Sequence, residues 1–473
     1  MSRPTPAPAA PSAAEPAALR GARHVPYWLH DPDRPEPAAP LTRDTTADLA
    51  VVGGGFAGLW TALRAKERDP GRTVVVLEAV TCAAAASGRN GGFAEPTLTH
   101  GVANGASRWP DEVAELERLG RLNLDGLVDT VRRHDIDCHL ERTGELYVAT
   151  RPHEVEALAE QAAQTTRLGG DVRFLDGAAT RARVSSPTYL AGLLDPSVVL
   201  VEPARLAWGL RRVCLELGVE VHEQTPVAGV ERDADGVVVR TPRGRVRADQ
   251  AVLAVGARPL LRRLRLMTVP VLDYALTTAP LDAEQRRAVG WAGREGIGDC
   301  GRLFHYYRLT RDDRLLFGGY DAVYRFASRD GDVDRHGRAT YDVLARHLVE
   351  TFPALAGVGV THAWGGVIDT CTRFCAFYGT ALRGRVAYAS GYTGLGVAAT
   401  RFAADVGLDL LDGADTERTR PAMVRERPLP FPPEPARWIG IETTRRSMRR
   451  ADATGRPNRW LRALDRVGLG FDS

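Results

Sequence analysis

The chain has 473 residues, 44% of them hydrophobic, and a formal net charge of +3 at pH 7. That length exceeds one ordinary domain and that composition can bury a sizeable core, so two connected domains are expected. Lys66 is the only lysine, and the arginines that make up nearly all of the 62 basic residues are scattered and matched by 59 acidic ones, which argues against a nucleic-acid groove.

The cysteines Cys82, Cys138, Cys214, Cys300, Cys371 and Cys375 suggest neither a metal site nor a disulfide framework, because only the last two are close and their spacing is not CxxC. Residues 1–22 are rich in alanine and proline without a basic start or an apolar core. They read as a disordered extension rather than a secretory signal. No apolar run reaches the ~18 residues of a membrane helix, and a soluble cytoplasmic protein is expected.

In chain order, residues 49–52 predict a strand, followed by a glycine turn, a helix over about 56–68 and a second strand over 73–77. Both strands are continuous apolar runs, as parallel strands covered on both faces require, so the segment reads as a βαβ unit. Residues 109–134 predict a long amphipathic helix, 141–149 a strand and 152–167 another helix, outside the βαβ rhythm. That rhythm returns with a helix over 203–217, a strand at 219–222, a hairpin over 227–240 and a strand at 250–255. A strand-rich segment runs from 269 to about 367, then a strand at 386–390, a glycine turn and a helix to 411. The tail after Gly413 carries the proline-rich connector "RPLPFPPEPARW" and an arginine-rich helical piece over 442–469, read as a solvated helix docked on the body.

The stretch "DLAVVGGGFAGLW" places Gly53, Gly55 and Gly58 in a GxGxxG pattern between strand and helix. There the first glycine permits the turn, the second lets the backbone approach a pyrophosphate, and the third closes helix on strand. Glu78 follows twenty residues after Gly58, where a carboxylate can bond an adenosine ribose. A second copy, Gly296, Gly298 and Gly301, lacks a preceding strand and a following helix and reads as a loop. The dinucleotide seat suits NAD or FAD, and the loop "ASGRNGGF" over 86–93 either approaches a flat cofactor by its backbone or is a flexible crossover.

These stretches, with "YWLHD", "VVVLEA", "VEPARLAWGLR", "AVLAVGAR", "RLLFGG", "WGGVID" and "ASGYTGLGVAAT", run in family order over residues 27 to about 411. The chain resembles the FAD-dependent oxidoreductases of the D-amino-acid oxidase superfamily, in the glycine, sarcosine and γ-glutamylputrescine oxidase branch. The resemblance implies an α/β plus α+β fold: a Rossmann-like FAD domain (43–95, 196–265 and 371–415) with a sheet-rich substrate domain (96–195 and 266–370). Extensions occupy 1–42 and 416–473. It assigns Gly53, Gly55 and Gly58 to the pyrophosphate and Glu78 to the ribose, with Phe56, Ala57 and Ala79 also assigned to the cofactor. Ser87, Gly88, Arg89, Asn90, Gly91 and Gly92 fall near the flavin ring. Val227 resembles the backbone contact to adenine, with Gly256 also assigned to the cofactor. Gly391, Gly394, Leu395, Gly396 and Val397 resemble the turn facing the flavin pyrimidine, where a helix N-terminus offers donors to a charge-bearing reduced ring.

The reaction so implied is hydride transfer from the carbon beside nitrogen of an amine or amino acid to flavin N5, giving an imine or aldehyde and hydrogen peroxide. The alternative is a dehydrogenase that passes electrons to a quinone or protein, and a third reading is a non-catalytic flavin-binding module. His305, Tyr307 and Tyr320 are the candidate catalytic residues of the pocket roof; period two puts His305 and Tyr307 on one strand face, Tyr306 and Arg308 on the other. Arg89 suits either a substrate carboxylate or cofactor phosphate. The lysines that sarcosine oxidase members place near the flavin are missing, so either oxygen is activated by His305 or an arginine, or the electrons leave to another acceptor. Cys371 lies about where those enzymes attach flavin through sulfur, but a buried inert thiol is the expectation.

Overall fold

The computed structural model describes residues 17–329, 331, 333–334 and 337–470. Strand β1 (Thr45–Val52), helix α1 (Phe56–Arg68) and strand β2 (Val74–Leu77) form the first βαβ unit, with β1 and β2 parallel. The continuous apolar runs have a direct cause. Leu49, Val51, Val74 and Val76 join one core cluster while Ala50, Val52, Val75 and Leu77 join another, so each sheet face buries alternate residues.

The first sheet has eight strands. Its main path runs Phe377–Ala381, Val386–Ser390, Arg245–Leu253, β1, β2 and Glu220–His222, and the hairpin strands Gly229–Arg232 and Val237–Arg240 attach to Arg245–Leu253. The second sheet also has eight, in the order Val360–Thr370, Val269–Thr278, Leu315–Gly319, His305–Leu309, Gly296–Asp299, β4 (Glu145–Ala149), Ala191–Asp195 and Arg173–Asp176. Between the two sheets, the short strand β3 (Phe93–Ala94) pairs with Val199–Leu200. One face of the second sheet packs on the helix Arg338–Thr351 through Tyr274, Tyr307, Phe317, Tyr341 and Leu344.

Three sequence expectations need correction. The second glycine triplet is no loop: Gly296–Asp299 is an inner strand of the second sheet, paired on both sides, because its glycines clear space for neighbouring side chains. Part of the expected disordered extension is ordered: Ala17–Leu19 form a short 3-10 helix whose Leu19 is only 4% exposed, while residues 1–16 lie outside the described residues. The arginine-rich tail is two helices, Ala436–Thr454 and Arg459–Arg466, broken at Gly455 in a left-handed conformation with φ of 68°. Among the described residues no helix is long and apolar enough to cross a membrane.

Candidate active site

Both sheets contribute to one cavity of about 1500 Å³, larger than the roughly 300–1000 Å³ of ordinary small-molecule sites. At one end lies the turn between β1 and α1. Gly53 has φ of +113°, and a Cβ there would lie 2.3 Å from the Ala254 carbonyl oxygen; a Cβ on Gly58 would lie 1.8 Å from the Gly53 carbonyl oxygen. These positions admit glycine alone. Gly55 precedes α1 without a side-chain cap, so Gly55, Phe56 and Ala57 present the helix N-terminus at the cavity wall. The Phe56 amide donates to Ser87 Oγ at 2.9 Å, which ties this turn to the 86–92 loop.

Glu78 closes the same end. Its Oε2 accepts from the Gly54 amide at 2.7 Å and its Oε1 from the Val80 amide at 2.9 Å, while burial pushes its carboxyl above the usual range. Ala79, Val227 and Gly256 line the cavity beside it.

Along the middle, Ser87, Arg89, Asn90, Gly91 and Gly92 lie on the wall. Trp28 is buried beneath this loop and donates its indole N–H to the Asn90 carbonyl at 2.8 Å. Arg89 is engaged on three sides, donating to the Ala84 and Gly365 carbonyls and pairing with Asp334 at 2.8 Å. It therefore bolts the loop to the second sheet. Gly88 lies off the wall, where an added Cβ would be 2.3 Å from the Ala83 carbonyl oxygen.

The far end is the turn before the helix Gly396–Asp412, where Gly394, Leu395, Gly396 and Val397 line the cavity at a second uncapped helix N-terminus. The Gly391 amide donates to Asp369 Oδ2 at 2.6 Å, and burial pushes Asp369 up to about 7. Gly391 itself packs away from the cavity against Cys371. The Cys371 thiol is fully buried and donates to the Cys375 carbonyl at 3.1 Å, with the neighbouring Thr370 and Thr372, rather than Cys371, on the wall. His100, unforeseen from the sequence, faces this turn, and burial pushes it down to about 4, leaving a neutral imidazole at neutral pH.

The roof follows strand alternation, with a different outcome from the one expected for its catalytic candidates. Phe304, Tyr306 and Tyr320 face the cavity. Tyr307 points to the opposite face, where its hydroxyl meets that of Tyr189 at 2.8 Å within the second core. His305 is also off the wall, held between Asp299 at 2.6 Å and His347 at 2.9 Å and stacked on Tyr320. Tyr306 donates to Asp273 Oδ2 at 2.8 Å, and burial pushes Asp273 up to about 6.

Two further walls carry no sequence motif. One holds the carboxylates Glu95 and Glu145 with Tyr147. The other is the C-terminal extension, to which the sequence assigned no chemistry: residues 429–432 and Ile441, Thr444, Arg445 and Met448 line the cavity. Arg445 and Arg449 anchor that extension to Asp321.

Two helix N-termini, a glycine cradle that any Cβ would fill, and a sheet roofing the space between them are the architecture of a dinucleotide-dependent enzyme. The chain belongs to the family described as FAD dependent oxidoreductase, whose model matches residues 48–409. It is 32% identical over 400 residues to γ-glutamylputrescine oxidoreductase of Escherichia coli, covering 83% of this chain and 89% of that protein. It is 22% identical over 336 residues to sarcosine oxidase subunit beta of Rhodobacter capsulatus, covering 68% of this chain and 74% of the relative. Glycine oxidase from Geobacillus kaustophilus shares the fold, with a TM-score of 0.64 at 20% identity, over 79% of this chain and 96% of that one. The resemblance drawn from the glycine motifs is thereby borne out: this is an FAD-dependent oxidoreductase of the amine and amino-acid oxidase type.

Proposed function

We propose that the chain oxidises the C–N bond of a small amine, releasing an imine or aldehyde and hydrogen peroxide, with FAD held without a covalent bond. When bound, FAD supplies the hydride acceptor. Gly53, Gly55, Phe56 and Ala57 would hold its pyrophosphate, Glu78 its ribose, and residues 394–397 the pyrimidine end. The remaining work falls to the protein: Tyr306 and Tyr320 position the amine beneath the roof of the cavity.

The observation that carries an amine rather than a free amino acid is the state of the wall's charges. Arg89 pairs with Asp334, Arg437 with Glu434, Arg445 with Asp321 and Glu442, and Arg302 with Asp452, and Arg258, which also lines the cavity, is not free either. An α-carboxylate would have to displace one of these ion pairs, whereas Glu95 and Glu145 belong to no ion pair among the described residues. A neutral amine is the form that yields hydride, and Asp273, His100 and the apolar roof place no cation against it.

The test is an anaerobic screen of amines and amino acids scored by bleaching of the flavin, followed by peroxide counted against amine consumed. Bleaching by an amine with matching peroxide is expected. Turnover only with an artificial acceptor would identify a dehydrogenase instead, and no bleaching by any amine would overturn the reading.

A further inference from the structure

The second glycine triplet, idle as a nucleotide motif, has work in the second sheet. Strand Gly296–Asp299 runs parallel to β4 with Gly296 opposite Glu145 and Gly298 opposite Tyr147. Period two therefore puts both glycines and both polar side chains on one face. A Cβ on Gly296 would lie 2.3 Å from the Phe93 ring, and one on Gly298 would lie 3.0 Å from Glu145 Oε1 and 3.6 Å from the Tyr147 ring. The Phe93 ring fills the space left at Gly296, and the Glu145 carboxylate lies against Gly298.

Glu95, the residue after β3, lines the same cavity as Glu145 and Tyr147. Its charge acts on Glu145, and the Tyr147 hydroxyl interacts with both carboxylates. The further charges acting on the pair are again acidic, Asp195 and Glu117. Glu145 is only 4% exposed, yet its Oε2 has no hydrogen-bond partner. An unpartnered buried carboxylate beside a second one is costly unless a cation joins it. All three side chains open on the cavity that holds the FAD seat.

We propose that Glu95, Glu145 and Tyr147 form a subsite for a positively charged group of the substrate, one remote from the reacting nitrogen. The physical reason for remoteness is that paired carboxylates stabilise an ammonium in its charged form. A protonated amine has no lone pair to assist hydride loss, so the nitrogen held here is not the one being oxidised. The inference rests on the amine-oxidising reading and names its substrate class: a diamine, polyamine or other amine bearing a second cation. Burial supports it from another direction, since the Glu95 carboxyl is pushed up to about 7 and that of Glu145 well above its usual range. The pair retains a proton when no cation is present, and a bound ammonium replaces that proton.

The experiment uses the flavin-loaded enzyme with two probes, 1,4-diaminobutane and butylamine. Binding is read as perturbation of the flavin absorbance, separately from anaerobic bleaching. The wild type is expected to bind the diamine at least about tenfold more tightly, and Glu145→Gln or Glu95→Gln to reduce that ratio at least about fivefold, as truncation of a buried charge contact does. Both variants remove like-charge repulsion without changing side-chain shape, so retained flavin and melting temperature certify the fold. Equal affinities in the wild type, or variants that weaken both probes in the same proportion, would overturn the subsite. Selective diamine binding without bleaching would instead refute amine oxidation and leave the subsite standing.

Discussion

Asp369 Oδ2 accepts the backbone amide of Gly391 at 2.6 Å, joining the end of the second sheet to the turn that starts the helix Gly396–Asp412. The same residue's carbonyl accepts from the Thr393 amide at 3.2 Å, so one aspartate fixes two points of the turn. Asp369→Ala would leave the Gly391 donor buried without a partner, which costs about 1–3 kcal/mol. Asp369→Asn keeps an acceptor and should cost less. Thermal unfolding of the flavin-free protein and the flavin dissociation constant check both, with alanine the worse variant on each measure.

The buried carboxyls set a pH dependence. Asp369, Glu95 and Glu117 are pushed up to about 7, and Asp273 to about 6, in each case chiefly by burial. Each folded value lies above the unfolded one, so the folded chain binds the proton more tightly. The stabilisation is full below the unfolded pKa of about 4 and is lost as pH climbs through the folded value. Stability of the flavin-free protein should therefore fall between about pH 4 and 7, and Glu117→Gln, away from the cavity, should flatten that fall. Urea unfolding midpoints across this range read it, and a curve unchanged by the substitution would refute the assignment to Glu117.

Tyr306 is confined on both sides. A Cβ on Gly318 would lie 2.6 Å from its ring and one on Gly91 would lie 2.8 Å from it, so the loop and the strand hold the ring between them. Its hydroxyl also donates to the half-buried Asp273. Tyr306→Phe keeps the ring and removes the donor, leaving Asp273 harder to ionise. The expected result is a loss of about tenfold or more in kcat/KM, within the range for a positioned proton-bearing side chain, and flavin content unchanged. Equal kcat/KM in the two proteins would remove Tyr306 from the substrate site.

The parts legible in the sequence are those written in consecutive residues. The helix Pro152–Arg167 and the strand Val386–Ser390 appear at the expected bounds, because one begins at a proline and the other is a short β-rich run before a glycine. The GxGxxG turn was readable for the same reason, strand, turn and helix being contiguous. Glu95 and Glu145 meet only through the pairing of distant strands, and no spacing in the chain records that meeting. Alternation correctly separated His305 and Tyr307 from Tyr306 and Arg308, yet which set faces the cavity depends on where the helix Arg338–Thr351 packs. The glycines of Gly296–Asp299 looked like a loop because their partners, Phe93 and Glu145, are remote in sequence.

Cys371→Ser should leave the flavin's spectrum and retention unchanged. The thiol donates to the carbonyls of Cys375 and Gly391 at 3.1 and 3.5 Å, and burial pushes it up, away from the thiolate needed for attack. A serine hydroxyl can make the same bonds. Acid-precipitated wild-type protein is expected to release all its yellow colour to the supernatant; colour kept in the washed pellet, and lost in Cys371→Ser, would establish a covalent bond.

Gly58 and Gly407 form a matched pair of helical glycines with opposite expectations. A Cβ on Gly58 would lie 1.8 Å from the Gly53 carbonyl oxygen, which belongs to the turn itself and cannot move without opening the cradle. At Gly407, inside the helix Gly396–Asp412, the nearest atom to an added Cβ is Ala387 Cβ at 3.9 Å, an ordinary contact. Gly407→Ala should therefore keep flavin binding and gain about 0.5–1 kcal/mol from helix propensity. Gly58→Ala should drive α1 off β1 and lower flavin affinity by about a hundredfold or more, since the overlap is with backbone and helix and strand can no longer close. Flavin titration of the two purified apoproteins separates the cases. Normal affinity in Gly58→Ala would show that the close approach of α1 to β1 is dispensable for holding the cofactor.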